Sequence, residues 1–153
     1  MDRVTRKAHS FLLMAHTTWE HFEHEADMGL RVAAPTREAM FEGIAEALTA
    51  VITEPDRVRA SQSVRVACEA PDDALLMVDW LNALVYEMAT RRMLFREFHV
   101  TLEGRRLTAT VLGEPIDRER HQPAVEVKGA TYTALSVEHG DDGLWHGQCV
   151  VDV

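Results

Sequence analysis

Hydrophobic and polar positions alternate with a period of two along parts of this chain and with a helical period along others, and the switches between them predict its elements. Trp19-Glu20-His21-Phe22-Glu23-His24 reads as a short strand with its aromatics on one face and its polar residues on the other. A second extended piece, Gly29-Leu30-Arg31-Val32-Ala33, follows Asp27-Met28. Pro35-Thr36 then announces a helix capped by Thr36, with Glu38 in its first turn and Met40, Phe41, Ile44, Ala47, Leu48 and Val51 at helical spacing. Glu54-Pro55-Asp56 ends it.

Ser63 to Glu69 alternates again and reads as a strand. Pro71-Asp72-Asp73 starts a second helix, whose apolar stripe through Leu75, Leu76, Val78, Leu81, Leu84, Val85 and Met88 is broad enough for a helix laid across a sheet. Trp80 belongs to the core or its edge, and Asp79 to the surface. Phe98 to Leu102 and Leu107 to Val111 flank Glu103-Gly104-Arg105-Arg106 as a hairpin. Thr131 to Glu138 and Leu144 to Val151 flank His139-Gly140-Asp141-Asp142-Gly143 as another. Strands, helix, strand, helix, then a run of strands indicate an α+β fold of two helices packed on a largely antiparallel sheet. No repeat or linker divides the chain, so one domain over residues 18–153 is expected after a variable leader at 1–17.

Composition then narrows the partners. With 16 Lys+Arg against 25 Asp+Glu among 153 residues, the net charge is −9. Such a surface repels phosphate backbones, which argues against stable direct nucleic-acid binding and favours cations and basic protein surfaces. Cys68 and Cys149 form no metal knuckle or Cys-x-x-Cys motif, and two isolated cysteines suit a reduced, cytoplasmic setting. Phe11-Leu12-Leu13-Met14-Ala15 is too short for a membrane span.

Phosphate-loop, dinucleotide and Gly-x-Ser-x-Gly fingerprints are missing, so nucleophilic catalysis has no support in the sequence. What remains is a set of hard-metal or acid-base candidates. In His21-x-x-His24-x-x-Asp27 the two histidines are three apart, which a strand does not place on one face. Asp27 sits at a strand break beside Gly29, where a carboxylate either caps its own turn or faces a neighbouring chain end. Asp152 and the α-carboxylate of Val153 follow the apolar run Cys149-Val150-Val151, which predicts a fixed end. Two carboxylates held close repel unless a cation lies between them, and oxygen ligation favours Mg²⁺, Mn²⁺ or Ca²⁺. Asp117-Arg118-Glu119-Arg120 reads as a solvated loop leading to His121. Lys128 alternates with Val125 and Val127 and so points away from the core.

Read together, these residues resemble the archease family, the small protein cofactors of the RtcB-type tRNA-splicing RNA ligase. The resemblance runs from about Trp19 to Val153. It is carried by His24-Glu25-Ala26-Asp27-Met28-Gly29, by the helix from Leu75 to Tyr86 with its Trp80-Leu81-Asn82, by Gly113-Glu114-Pro115-Ile116-Asp117 with His121, by Glu126-Val127-Lys128-Gly129-Ala130-Thr131-Tyr132, and by Val150-Val151-Asp152-Val153. It implies a non-enzymatic, metal-binding activator that promotes ligase guanylylation and multiple turnover in tRNA splicing or RNA repair. Asp27, Asp152 and the Val153 carboxylate would then hold calcium, magnesium or manganese, with His24 close behind them. Lys128 and His121 would face the partner. Glu25 replaces the family's usual threonine, Gly129 its alanine, and Thr133 a frequent histidine. The competing reading from the residues is a small divalent-metal-dependent phosphoester hydrolase, with His24 or His121 as general base.

Overall fold

The structure is a computed structural model that describes residues 16–153. Most of the expected leader lies outside the described residues. Thr17 does not: its side chain lies so close to Gly43 that a Cβ there would meet it.

In chain order the elements are β1 (Thr18–His24), β2 (Asp27–Ala34), α1 (Arg37–Ile52), β3 (Gln62–Glu69), α2 (Asp73–Arg91), β4 (Met93–Glu103), β5 (Arg106–Pro115), α3 (Arg118–His121), β6 (Gly129–Ala130), β7 (Ser136–His139) and β8 (Trp145–Asp152). All strand pairs are antiparallel. The α+β class expected from the sequence is therefore what the chain adopts, but with two sheets where one was expected. The larger runs β1-β2-β8, with β6 and β7 sharing the far edge of β8, and the smaller runs β3-β5-β4.

Both long helices start where the sequence places them. The Thr36 side chain accepts from the Ala39 N–H and that of Asp72 from the Leu75 N–H, each satisfying an amide the first turn leaves open. α1 packs against β2 on one side and β4 on the other, so it lies between the sheets and buries residues around most of its circumference. α2 meets β3 of one sheet and β6 of the other. The two helices are locked together by Trp80, fully buried, whose indole N–H donates to the Phe41 carbonyl at 2.9 Å. Burying an indole is favourable only when its N–H finds such an acceptor.

β1 departs from its expected facing. Strand alternation sends Trp19 and His21 inward, toward the Glu46 carboxylate and the Ala47 carbonyl of α1, whereas Phe22 projects from the opposite face. There its ring covers Gly29, where any Cβ would collide with it, and the Arg31 guanidinium lies 4.3 Å above it. Thr131 to Glu138 is not one strand. The Thr131 hydroxyl accepts from the Thr133 N–H, Ala134 takes a left-handed φ of 54°, and only Ser136 onward pairs as β7. A local side-chain bond has competed successfully with the ladder.

Candidate functional site

The expected cation ligands lie at one end of the larger sheet. Glu25 and Ala26 close the β1–β2 hairpin, with Glu25 at φ 55°, and this pairs His24 directly with Asp27. Met28 pairs with Val151, so the same register carried one residue further sets Asp27 beside Asp152. Asp152 in turn pairs with Gly129. His24, Asp27, Asp152 and Gly129 thus form one row across four strands, with roughly 5 Å between neighbouring strands. Directly paired residues project from the same face, and here it is the face away from the helices, because Leu30, Val32 and Ala34 point inward and are buried.

Two tethers fix the row. The Lys128 N–H donates to the Asp152 carbonyl at 2.7 Å, and the Asn82 side-chain oxygen on α2 accepts from the Ala130 N–H at 2.8 Å. Val153 packs partly against the core while Asp152 is exposed, which is the alternation a fixed end requires. Asn82, named in the sequence only as part of the family motif and given no role there, is a positioning residue. Its signal was a polar side chain directly beside the apolar stripe of α2.

The donors suit a hard cation in type and only partly in number. Asp27, Asp152 and the Val153 carboxylate are oxygen donors of the kind that Mg²⁺, Mn²⁺ and Ca²⁺ prefer. Among the described residues, however, no three side chains of His, Cys, Asp or Glu close into a group able to hold a metal ion. His24 shares the row without converging on the two acids. An ion there would lean on the two carboxylates and the Val153 carboxylate.

Lys128 is exposed and forms no ion pair among the described residues. Its segment, residues 122–128, is irregular and not a strand, and Val125, expected inward with Val127, is 39% exposed.

His121 lies elsewhere and is fully buried. The expected solvated run around it is a short helix, α3, capped by Asp117, whose side chain accepts from the Glu119 and Arg120 N–H groups. The Asp117 N–H donates to His121 Nδ1 at 2.9 Å, so the ring's hydrogen is on Nε2, which donates to Glu114 Oε2 at 2.8 Å. Arg120 grips both oxygens of Glu114, at 2.6 and 3.0 Å, and the Arg59 N–H adds a bond at 2.8 Å. Arg120 above all, then the Arg59 amide and His121, hold the Glu114 carboxyl down at about 2 against the cost of burial. His121 is thus a structural residue in place of the partner-facing one expected. With both ring nitrogens engaged, it also has no free nitrogen to act as the hydrolase's base.

A family model described as the Archease protein family matches residues 19–153. The chain is 36% identical to a protein archease of Pyrococcus abyssi over 139 residues, covering 88% of this chain and 98% of that one. It is 37% identical to a protein archease of Methanopyrus kandleri, with 88% and 99% covered. The solution structure of Methanobacterium thermoautotrophicum protein 1598 superposes with a TM-score of 0.72 at 28% identity, covering 88% of this chain and 98% of that one. Among the described residues, no helix is long and apolar enough to cross a membrane.

Proposed function

The chain belongs to the archease family, and from that premise we propose that it is a metal-binding, non-enzymatic activator of an RtcB-type RNA ligase, promoting guanylylation and repeated turnover in tRNA splicing or RNA repair. Family membership itself supports the coarser role of a protein cofactor in RNA processing. The observation that carries the finer reading is the row of His24, Asp27 and Asp152 on the outer face of the sheet beside Val153.

Asp27, Asp152 and the Val153 carboxylate would hold the ion, and a divalent cation there would supply positive charge to draw a phosphate or carboxylate oxygen of the ligase site toward this end of the sheet. The chain's own part is positional. The Asn82 and Lys128 tethers keep β6 against Asp152, and the β1–β2 hairpin keeps Asp27 in register. Lys128, exposed and next to Gly129 in the chain, would meet an anionic group of the partner. A net charge of −9 complements a basic ligase mouth and speeds docking in a salt-dependent way.

The test is ligase guanylylation in the presence of this protein. The rate is expected to rise severalfold, and Asp27→Ala or Asp152→Ala to remove most of the rise. An active ligase that ignores the wild-type protein sinks the proposal.

A further inference from the structure

An open groove of about 400 Å³ runs between the C-terminal half of α2 and the segment 122–128. Met88, Leu94 and Val127 are buried beneath it, and Ile116 and Val125 line it at 36% and 39% exposure. Those two account for half of the four large apolar side chains that the described residues leave exposed. Apolar exposure collected in one groove marks an interaction surface, where scattered exposure does not.

Two further observations say what would fill it. Arg92 and Arg118 stand beside Ile116 where the groove opens out, both exposed and neither paired with a carboxylate among the described residues. Glu126 shares that rim, which leaves it positive by one charge in a chain whose total is −9. Along the wall, the N–H groups of Val125, Glu126 and Val127 meet no acceptor among the described residues. The flanking amides are tied down, Ala124 to the Ile52 carbonyl at 2.8 Å and Lys128 to Asp152 at 2.7 Å. Free backbone donors held in place beside an apolar groove are what a strand-like peptide uses to dock, and unpaired arginines are what its carboxylates use.

We infer that this groove docks a partner protein through a short extended segment, with apolar side chains against Ile116 and Val125, carboxylates on Arg92 and Arg118, and backbone pairing along residues 125–127 through alternate amides. The inference does not depend on the cation row or on the identity of the ligase.

The test titrates the isotopically labelled full chain with two pools of heptapeptides. Both carry Leu, Ile, Val or Phe at three central positions; one ends in two aspartates and the other in two lysines. The acidic pool should shift the amide resonances of Val125, Glu126 and Val127 and the methyls of Ile116. Its apparent affinity should fall tenfold or more in Arg92→Glu/Arg118→Glu, an exposed pair whose replacement leaves the unfolding temperature near wild type. Ile116→Asp should weaken binding as well. Equal binding of the two pools, no shifts at these residues, or shifts centred on the sheet end would overturn the inference. So would shifts at Ile116 and Val125 that follow protein concentration without peptide, because they would assign the groove to a second copy of this chain.

Discussion

At the corner where β5 meets α3, Glu114 is buried and its oxygens accept from Arg120, His121 and the Arg59 amide. At the end of the larger sheet, Asp27 and Asp152 stand side by side on the outer face, and neither forms an ion pair with a Lys or Arg of the described residues. Both places gather carboxylates. In the first, each charge is consumed within the fold, which makes the cluster stabilising and leaves nothing for a ligand. In the second, negative charge is set in a row by backbone register alone and left uncompensated, which is the condition for recruiting a cation from outside.

That contrast is broken most severely at the corner. Glu114→Ala leaves the buried His121 Nε2–H and the Arg59 amide without their acceptor, while Arg120 keeps the Arg57 carbonyl, and the cost expected for stranding such donors is on the order of 2 kcal/mol, read as a lower denaturant midpoint. An unchanged midpoint would mean the network is ornamental. The same residue sets an acid response. Its pKa is lowered from 4.5 to about 2, so its contribution is fully present above about pH 4.5 and is lost as the pH falls toward 2. Stability should therefore fall less steeply through that window in Glu114→Gln than in wild type.

A smaller effect is expected at the tether. Asn82→Ala removes one exposed hydrogen bond, about 1 kcal/mol at most, and should speed hydrogen exchange at the Ala130 amide more than at amides of β2. The smallest belongs to the row itself. Asp27→Ala and Asp152→Ala should change unfolding free energy by no more than about 0.5 kcal/mol without divalent ions, because the described residues form no ion pair with either carboxylate. A large loss in either would give that acid a structural part in the fold and count against its proposed part in holding an ion.

Local chemistry was legible in the sequence and long-range pairing was not. The Thr36 and Asp72 caps, the two helices and the hairpin around Gly104, with its φ of 61°, follow from residues within a turn of one another. The split into two sheets depends on β8 joining β2 from more than a hundred residues away, which no local period encodes. Phe22 was misplaced for a related reason: an aromatic on the outer face makes sense only once Gly29 is known to lie directly opposite. His121 looked like a partner-facing surface residue because its partners, Glu114 and Asp117, lie across the turn from β5 into α3, and the charged run around it hides a four-residue helix. For the site, local sequence offered Asp27 and Asp152 as separate candidates at opposite ends of the domain, and only the family resemblance joined them around one ion. Register turns them into neighbours, while the third side chain, His24, does not close the set.

The central claim is that this row holds a divalent cation, and Mn²⁺ titration followed by nuclear magnetic resonance tests it directly. Paramagnetic broadening should centre on the amides of Asp27, Met28, Gly129 and Asp152 and should disappear in Asp27→Ala. Broadening centred elsewhere, such as on Asp142 and His146 at the far hairpin, or broadening that persists unchanged in that variant, would contradict it.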